Sequence, residues 1–271
     1  MNETLRIADI QTSPLLYFDP GIEENGYKFC CDRNIDCLPS LDNSHRFLLR
    51  DDELKGFREE PLEQTRIIDG FKNIFSSEMI DRFRANHLLF VYTHEEISGV
   101  IHFSDYNKPI VSSYLYKQFS AYEKALRDLL VKYRLNNLDM FEYFELKATS
   151  SIEKGDKDHF KRRIRIYERQ EKDLPNIPVF QSFYLDDLIG LIKHKNRMDL
   201  SDKTTSLRNH VMHAHDFINM EDTSTEDFLY KFGTFEDFFD TALLLQHDLK
   251  RVLNRVAFLS GDAALANAIM S

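Results

Sequence analysis

The stretch "SSYLYKQFSAYEKALRDLLVKYR", residues 112–134, decides how the chain divides. Leu115, Phe119, Tyr122, Leu126, Leu129, Leu130 and Tyr133 recur at spacings of three and four, the period of one buried helix face. Upstream of it, short apolar runs alternate with turn formers. Downstream, helical periodicity prevails. The predicted fold class is therefore α+β, with sheet and helix over 1–111, an all-α bundle of four to five helices over 112–260, and a tail over 261–271.

In the first half "IADI", "LLYF", "DCLPSL", "RFLLR", "LLFVYT" and "SGVIHF" are strand-sized and separated by "DPGIEENG", "LDNSH", "RDDELKG" and "THEEISG". Two short helices are predicted at "EENGYKFCCDRN" and "SSEMIDRFRAN", the second with Ser76 or Ser77 as N-cap. Beyond residue 134, helices are predicted at about 157–172, 182–195, 201–215 and 235–259. The last keeps Phe235, Phe238, Phe239, Ala242, Leu245, Leu249, Val252, Leu253 and Val256 on the helical period. "KDLPNIPVF", through its two prolines, and "NMEDTST" supply the breaks.

A chain of 271 residues and 32.0 kDa can bury two cores of ordinary size. No window approaches the apolar length of a membrane span, and "MNETLRIADI" has neither a basic flank nor an apolar run, so the expectation is a cytoplasmic protein without membrane association. Cys30, Cys31 and Cys37 suit neither a disulfide framework nor a zinc site by their number and spacing. A formal net charge of -10 opposes indiscriminate nucleic-acid binding, which sums Lys and Arg against phosphate. A local basic run does exist at "KDHFKRRIRIYERQEK", residues 157–172, and reads equally as a solvated helix face or as a patch for an anionic partner.

An internal repeat organises the first half. "IADI" at 7–10 and "IIDG" at 67–70 share an Ile-x-Asp opening, each followed by a helix candidate and two strands, "IDCLPSL" and "RFLLR" in the first copy, "HLLFVYT" and "SGVIHFSDY" in the second. With "IADIQTSP", "DCLPSLD" and above all "SGVIHFSD", this half resembles a tandem pair of CBS domains, modules that bind adenosine nucleotides between two sheet-and-helix repeats. In that family a glycine opens a strand, two apolar residues follow, then Thr or Ser, and an Asp three places on heads a helix. Gly99, Val100, Ile101 and Asp105 match; His102 stands where Thr or Ser is usual, with Ser104 beside the Asp. The resemblance implies an AMP-, ADP- or ATP-class regulatory ligand, with Asp105 accepting the ribose hydroxyls and Ser104 and His102 beside it. The alternative is that Asp105 only caps the helix toward Pro109.

The remaining motif is "SLRNHVMHAHDF", residues 206–217. At about 100° per residue, Leu207, Val211 and Ala214 fall on one face, while Asn209 and His213 share another that Arg208 reaches and His210 flanks. Solvated helix residues are one reading of the polar set. A metal site from His210, His213, His215 and Asp216 is a second. A catalytic site is the third, because "RNHVMH" resembles the signature of HEPN domains: Arg, a polar residue, a short spacer and His, late in a helical bundle. Glu123, inside the stripe of 112–134, sits on what looks like the first long helix of such a bundle.

That resemblance implies a metal-independent endoribonuclease acting as a homodimer, the two motifs facing each other. His213 would move the proton of the RNA 2'-hydroxyl, Arg208 would hold the phosphate, Asn209 would orient one of them, and His210 is the fallback second proton-transfer group. No cofactor is expected for catalysis. Joined to the first half, this implies a nucleotide-regulated ribonuclease of stress or antiviral growth arrest, kept in check by an antitoxin or other inhibitor. From another class comes a non-enzymatic nucleotide sensor whose helical half is a dimerisation or partner-docking module.

Overall fold

The structure, a computed structural model, describes residues 4–33, 35–49, 55–173, 178–213, 217 and 235–261. It is α+β and divides into two compact units at Val111 and Ser112, with Phe217 grouped in the first.

The first unit opens with a helical turn, α1 (Ile7–Ile10), followed by α2 (Glu23–Arg33). The expected strand at "IADI" is thus a helix. Ile7 and Ile10 are both fully buried, and residues three apart share a face on a helix but oppose each other on a strand. Residues 15–18, "LLYF", form no strand either; Phe18 instead stacks its ring on Phe47 with centroids 3.7 Å apart. An antiparallel meander follows: β1 (Cys37–Pro39), β2 (His45–Leu49) and β3 (Phe57–Pro61), in the order β1-β2-β3. The sequence gives β3 away poorly, because "FREEP" carries two glutamates; pairing with β2 brings Glu60 to Arg46, and a cross-strand ion pair replaces apolar alternation.

The second sheet has a different topology. β4 (Ile67–Asp69) leads into α3 (Ser77–Ala85) and lies parallel to β5 (Leu88–Thr93), which pairs antiparallel with β6 (Glu96–His102). Strand, helix, strand, strand is the order expected of the second repeat; the first sheet is all antiparallel and is not its copy. Ser76, not Ser77, caps α3, its hydroxyl accepting from the Met79 N–H. Ile68, Phe75, Met79, Phe83, Leu89, Val91, Ile101 and Tyr106 are buried here. Gly99 in β6 is needed for close approach: a Cβ there would lie 2.8 Å from the Thr12 carbonyl oxygen, and Thr12 exchanges both backbone hydrogen bonds with Val100.

The second unit contains α4 (Pro109–Lys132, which begins in the first unit), α5 (Asn137–Ser150), α6 (Lys154–Asp173), α7 (Leu185–His194), α8 (Thr204–Met212) and α9 (Phe235–Ser260). Six helices stand among the described residues where four to five were expected. The addition is α5, whose start is signalled by a capping box: the Asn136 side chain accepts from the Leu138 N–H, and Asp139 accepts from the Asn136 N–H. The α4 stripe behaves as its period demands, Leu115, Phe119, Tyr122, Leu126, Leu129 and Leu130 being at most 1 % exposed. Only Tyr133 is partly open, its hydroxyl accepting from Arg255 Nε. α5 packs against α6 and α7, and α8 against α9. No described helix is long and apolar enough to cross a membrane.

Candidate active site

α8 carries Arg208, Asn209 and His210, with His213 at its C-terminal cap. The Ser201 backbone N–H, just upstream, donates to buried Asp248 on α9, and the chain leaves the helix at His213, whose N–H still reaches the Asn209 carbonyl. Leu207 and Val211 anchor the inner face in the core. Ala214, the third residue of the expected stripe, lies outside the described residues, as do His215 and Asp216. Asn209 and His213 are exposed, and Arg208 and His210 are half-buried.

Arg208 is held from behind. Its Nε donates to Glu123 Oε1 of α4 at 3.1 Å, and the other oxygen of Glu123 accepts from Arg127 at 3.0 Å. Arg127 also donates to the Phe180 and Phe183 carbonyls, so the carboxylate is fixed before Arg208 meets it. Only Nε of Arg208 is used in this pair; one terminal nitrogen, Nη1, approaches Asn209 Oδ1 at a long 3.5 Å. The edge of the guanidinium most suited to two oxygens of one anion thus makes no strong contact in this pairing.

These residues open onto a cleft of about 670 Å³ within the second unit. Arg208, Asn209 and His213 line it from α8; His210 does not. α6 lines the cleft with His159, Arg162, Arg163, Ile166, Tyr167 and Gln170, positions that repeat on a single helix face. The basic run at 157–172 therefore turns one face to the cleft rather than only to solvent, and the spacing 159, 162, 163, 166, 170 was the signal that could have marked it.

Charge in the cleft is graded by burial. Arg163 is 11 % exposed and donates to Asp186 at 3.1 Å and to Asp187 at 2.6 Å. Burial works against its charge, and the two aspartates outweigh burial, so it is held cationic. Asp187 is 2 % exposed; burial pushes its carboxyl up to about 7, against Arg163 and the hydrogen bonds from the Tyr167 hydroxyl and the Tyr184 N–H. Arg162, by contrast, is exposed and has no ion-pair partner among the described residues. Among the described residues the cleft thus carries one solvated cation, two braced ones and two imidazoles.

The residues proposed for a nucleotide in the first unit have local work. The His102 N–H donates to Asp105 Oδ2 at 2.7 Å while His102 Nδ1 accepts from the Ser104 N–H at 3.2 Å, a reciprocal cap on the 3-10 turn Phe103–Asn107. Burial lowers the His102 pKa, with Asp105 opposing. The second oxygen of Asp105 accepts from Thr12 at 3.1 Å and from Lys108 at 2.8 Å. Both oxygens of this 8 % exposed carboxylate are therefore engaged within the unit.

Among the described residues no group of three or more His, Cys, Asp or Glu could hold a metal ion, and the three cysteines are free. No protein-family model, no curated protein and no solved structure matches the chain.

Proposed function

We propose that the second unit is a metal-independent endoribonuclease. The observation that carries this is the convergence of Arg208, Asn209 and His213 with His159 and Arg162 on one open cleft. RNA offers what such a set can use: a phosphodiester with a hydroxyl beside it. His213 takes the 2'-hydroxyl proton, O2' bonds to phosphorus, and the bond from phosphorus to O5' breaks. Arg208, presenting two nitrogens, binds the phosphate oxygens as their charge grows, and Arg162 adds an exposed cation. O5' leaves with a proton from a second imidazole. His159 can supply it within one protomer, and a homodimer would offer His213 of the partner subunit as well.

The products are a 2',3'-cyclic phosphate and a 5'-hydroxyl end. RNA incubated with the full chain is expected to show those ends, and an oligonucleotide whose scissile nucleotide is 2'-deoxy to remain uncut. Cleavage of the deoxy linkage would sink this chemistry, since nothing else in it makes the nucleophile.

An adenosine nucleotide regulating this activity from the first unit remains part of the reading, supported by the strand, helix, strand, strand order of its second sheet. Asp105 could accept ribose hydroxyls only where Lys108 or Thr12 gives way. Titration with AMP, ADP and ATP checks it: saturable heat that is weakened in Asp105→Asn, accompanied by a changed cleavage rate, is expected, and no heat with any of the three removes the regulatory role. Growth arrest and an inhibitory partner protein are consistent with an enzyme that destroys RNA, and belong to the same proposal.

A further inference from the structure

We infer that Tyr184 is a base-stacking residue that sets the register of a single RNA strand in the cleft, an inference that deepens the ribonuclease reading and rests on it for the identity of the ligand. Tyr184 is 56 % exposed although it lines the cleft, and Ile166 on the facing α6 is 46 % exposed. The Tyr184 ring lies in cation–π range of Arg163 and Arg208 and still stays more than half exposed. It suits a nucleobase, which presents an apolar face next to a charged backbone.

The ring is also placed by its surroundings. Its backbone N–H donates to buried Asp187 at 3.1 Å, so the residue that starts α7 is tied to the core while its side chain projects. The guanidinium carbons of Arg163 and Arg208 lie 5.5 and 6.0 Å from its centroid. Arg208 is the proposed phosphate ligand, so a base stacked on Tyr184 belongs to a nucleotide adjoining the phosphate that is held. Stacking needs an unpaired base with a free face, which a duplex does not offer. Arg162 and Gln170, on the same α6 face, remain for the neighbouring phosphate and base edge.

The test uses the full-length protein and a 2'-O-methyl RNA oligonucleotide carrying 2-aminopurine, which has no free 2'-hydroxyl and is uncuttable under the proposed chemistry. Wild type and Tyr184→Phe are expected to bind the single strand and quench the 2-aminopurine. Tyr184→Ala and Tyr184→Leu are expected to bind roughly 5- to 150-fold more weakly and to lose the quenching. The leucine variant keeps an apolar side chain without a ring, which separates stacking from packing. Wild-type binding and quenching by Tyr184→Leu, equal affinity for the duplex, or no binding by wild type would each overturn the inference. Tyr184-dependent quenching in a protein that cuts no ordinary RNA would uphold it and bring down the nuclease reading instead.

Discussion

Arg208→Ala is expected to lower RNA cleavage by about 10² to 10³, the loss typical of removing one donor to a transition-state anion. His213→Ala is expected to lose about 10² to 10⁴, the usual contribution of a positioned acid or base. Neither change should unfold the chain. His213 is exposed at the end of α8, and Glu123 keeps Arg127 as its partner when Arg208 is gone. Arg208→Lys should recover little, because a point charge cannot supply the planar pair of donors of a guanidinium. Single-turnover rates with the proteins at equal folded concentration check all three, and a fully active lysine variant would reduce Arg208 to a general positive charge.

Asp187→Ala is expected to destabilise the second unit by about 3 to 5 kcal/mol, measured by urea unfolding above pH 7, where the carboxyl is ionised and paired with Arg163. The carboxylate takes hydrogen bonds from Arg163, Tyr167 and Tyr184, and removing it leaves a buried guanidinium with Asp186 alone. Folding raises this carboxyl to about 7, so between about pH 4 and pH 7 the folded chain holds a proton that the unfolded chain has released. The stability contributed by Asp187 therefore falls as pH rises through that window, and the alanine variant should lack that slope. A loss below about 1 kcal/mol would show that the pair is better solvated than its burial implies.

How far the sequence foretold this arrangement depended on whether a local signal had a tertiary partner. α4 and α9 carry long stripes whose period alone requires a buried face, and both are helices over the expected spans. "IADI" looks like a strand by composition, yet its two isoleucines are three apart, and backbone bonds from Ile7 to Lys72 and from Ala8 to Gly70 hold the helical turn in place. In β3, Glu60 pairs with Arg46 across the ladder from β2, a partner that no reading of "FREEP" by itself can reveal. α5 was legible in principle, through Asn136 and Asp139, and the apolar pattern that follows is simply less regular.

The site divides in the same manner. Arg208, Asn209 and His213 form one constellation on one helix, so spacing along the chain was enough to group them. His210, chosen by the same adjacency, is not on the cleft. His159, Arg162 and Tyr184 come from α6 and from the start of α7, and only the fold brings them to α8. Asp105, picked for a ligand, also caps the 3-10 turn that follows His102. Residues on one helix can be grouped by spacing alone; residues from several elements are grouped only by the fold.

One measurement bears on the central claim most directly: cleavage of a mixed RNA pool by the purified full chain in excess chelator, beside Arg208→Ala and His213→Ala. The account predicts that the wild type cuts in chelator and that both variants lose the activity while remaining folded. Undiminished cutting by the variants, or no cutting by the wild type with or without adenosine nucleotides, would contradict it.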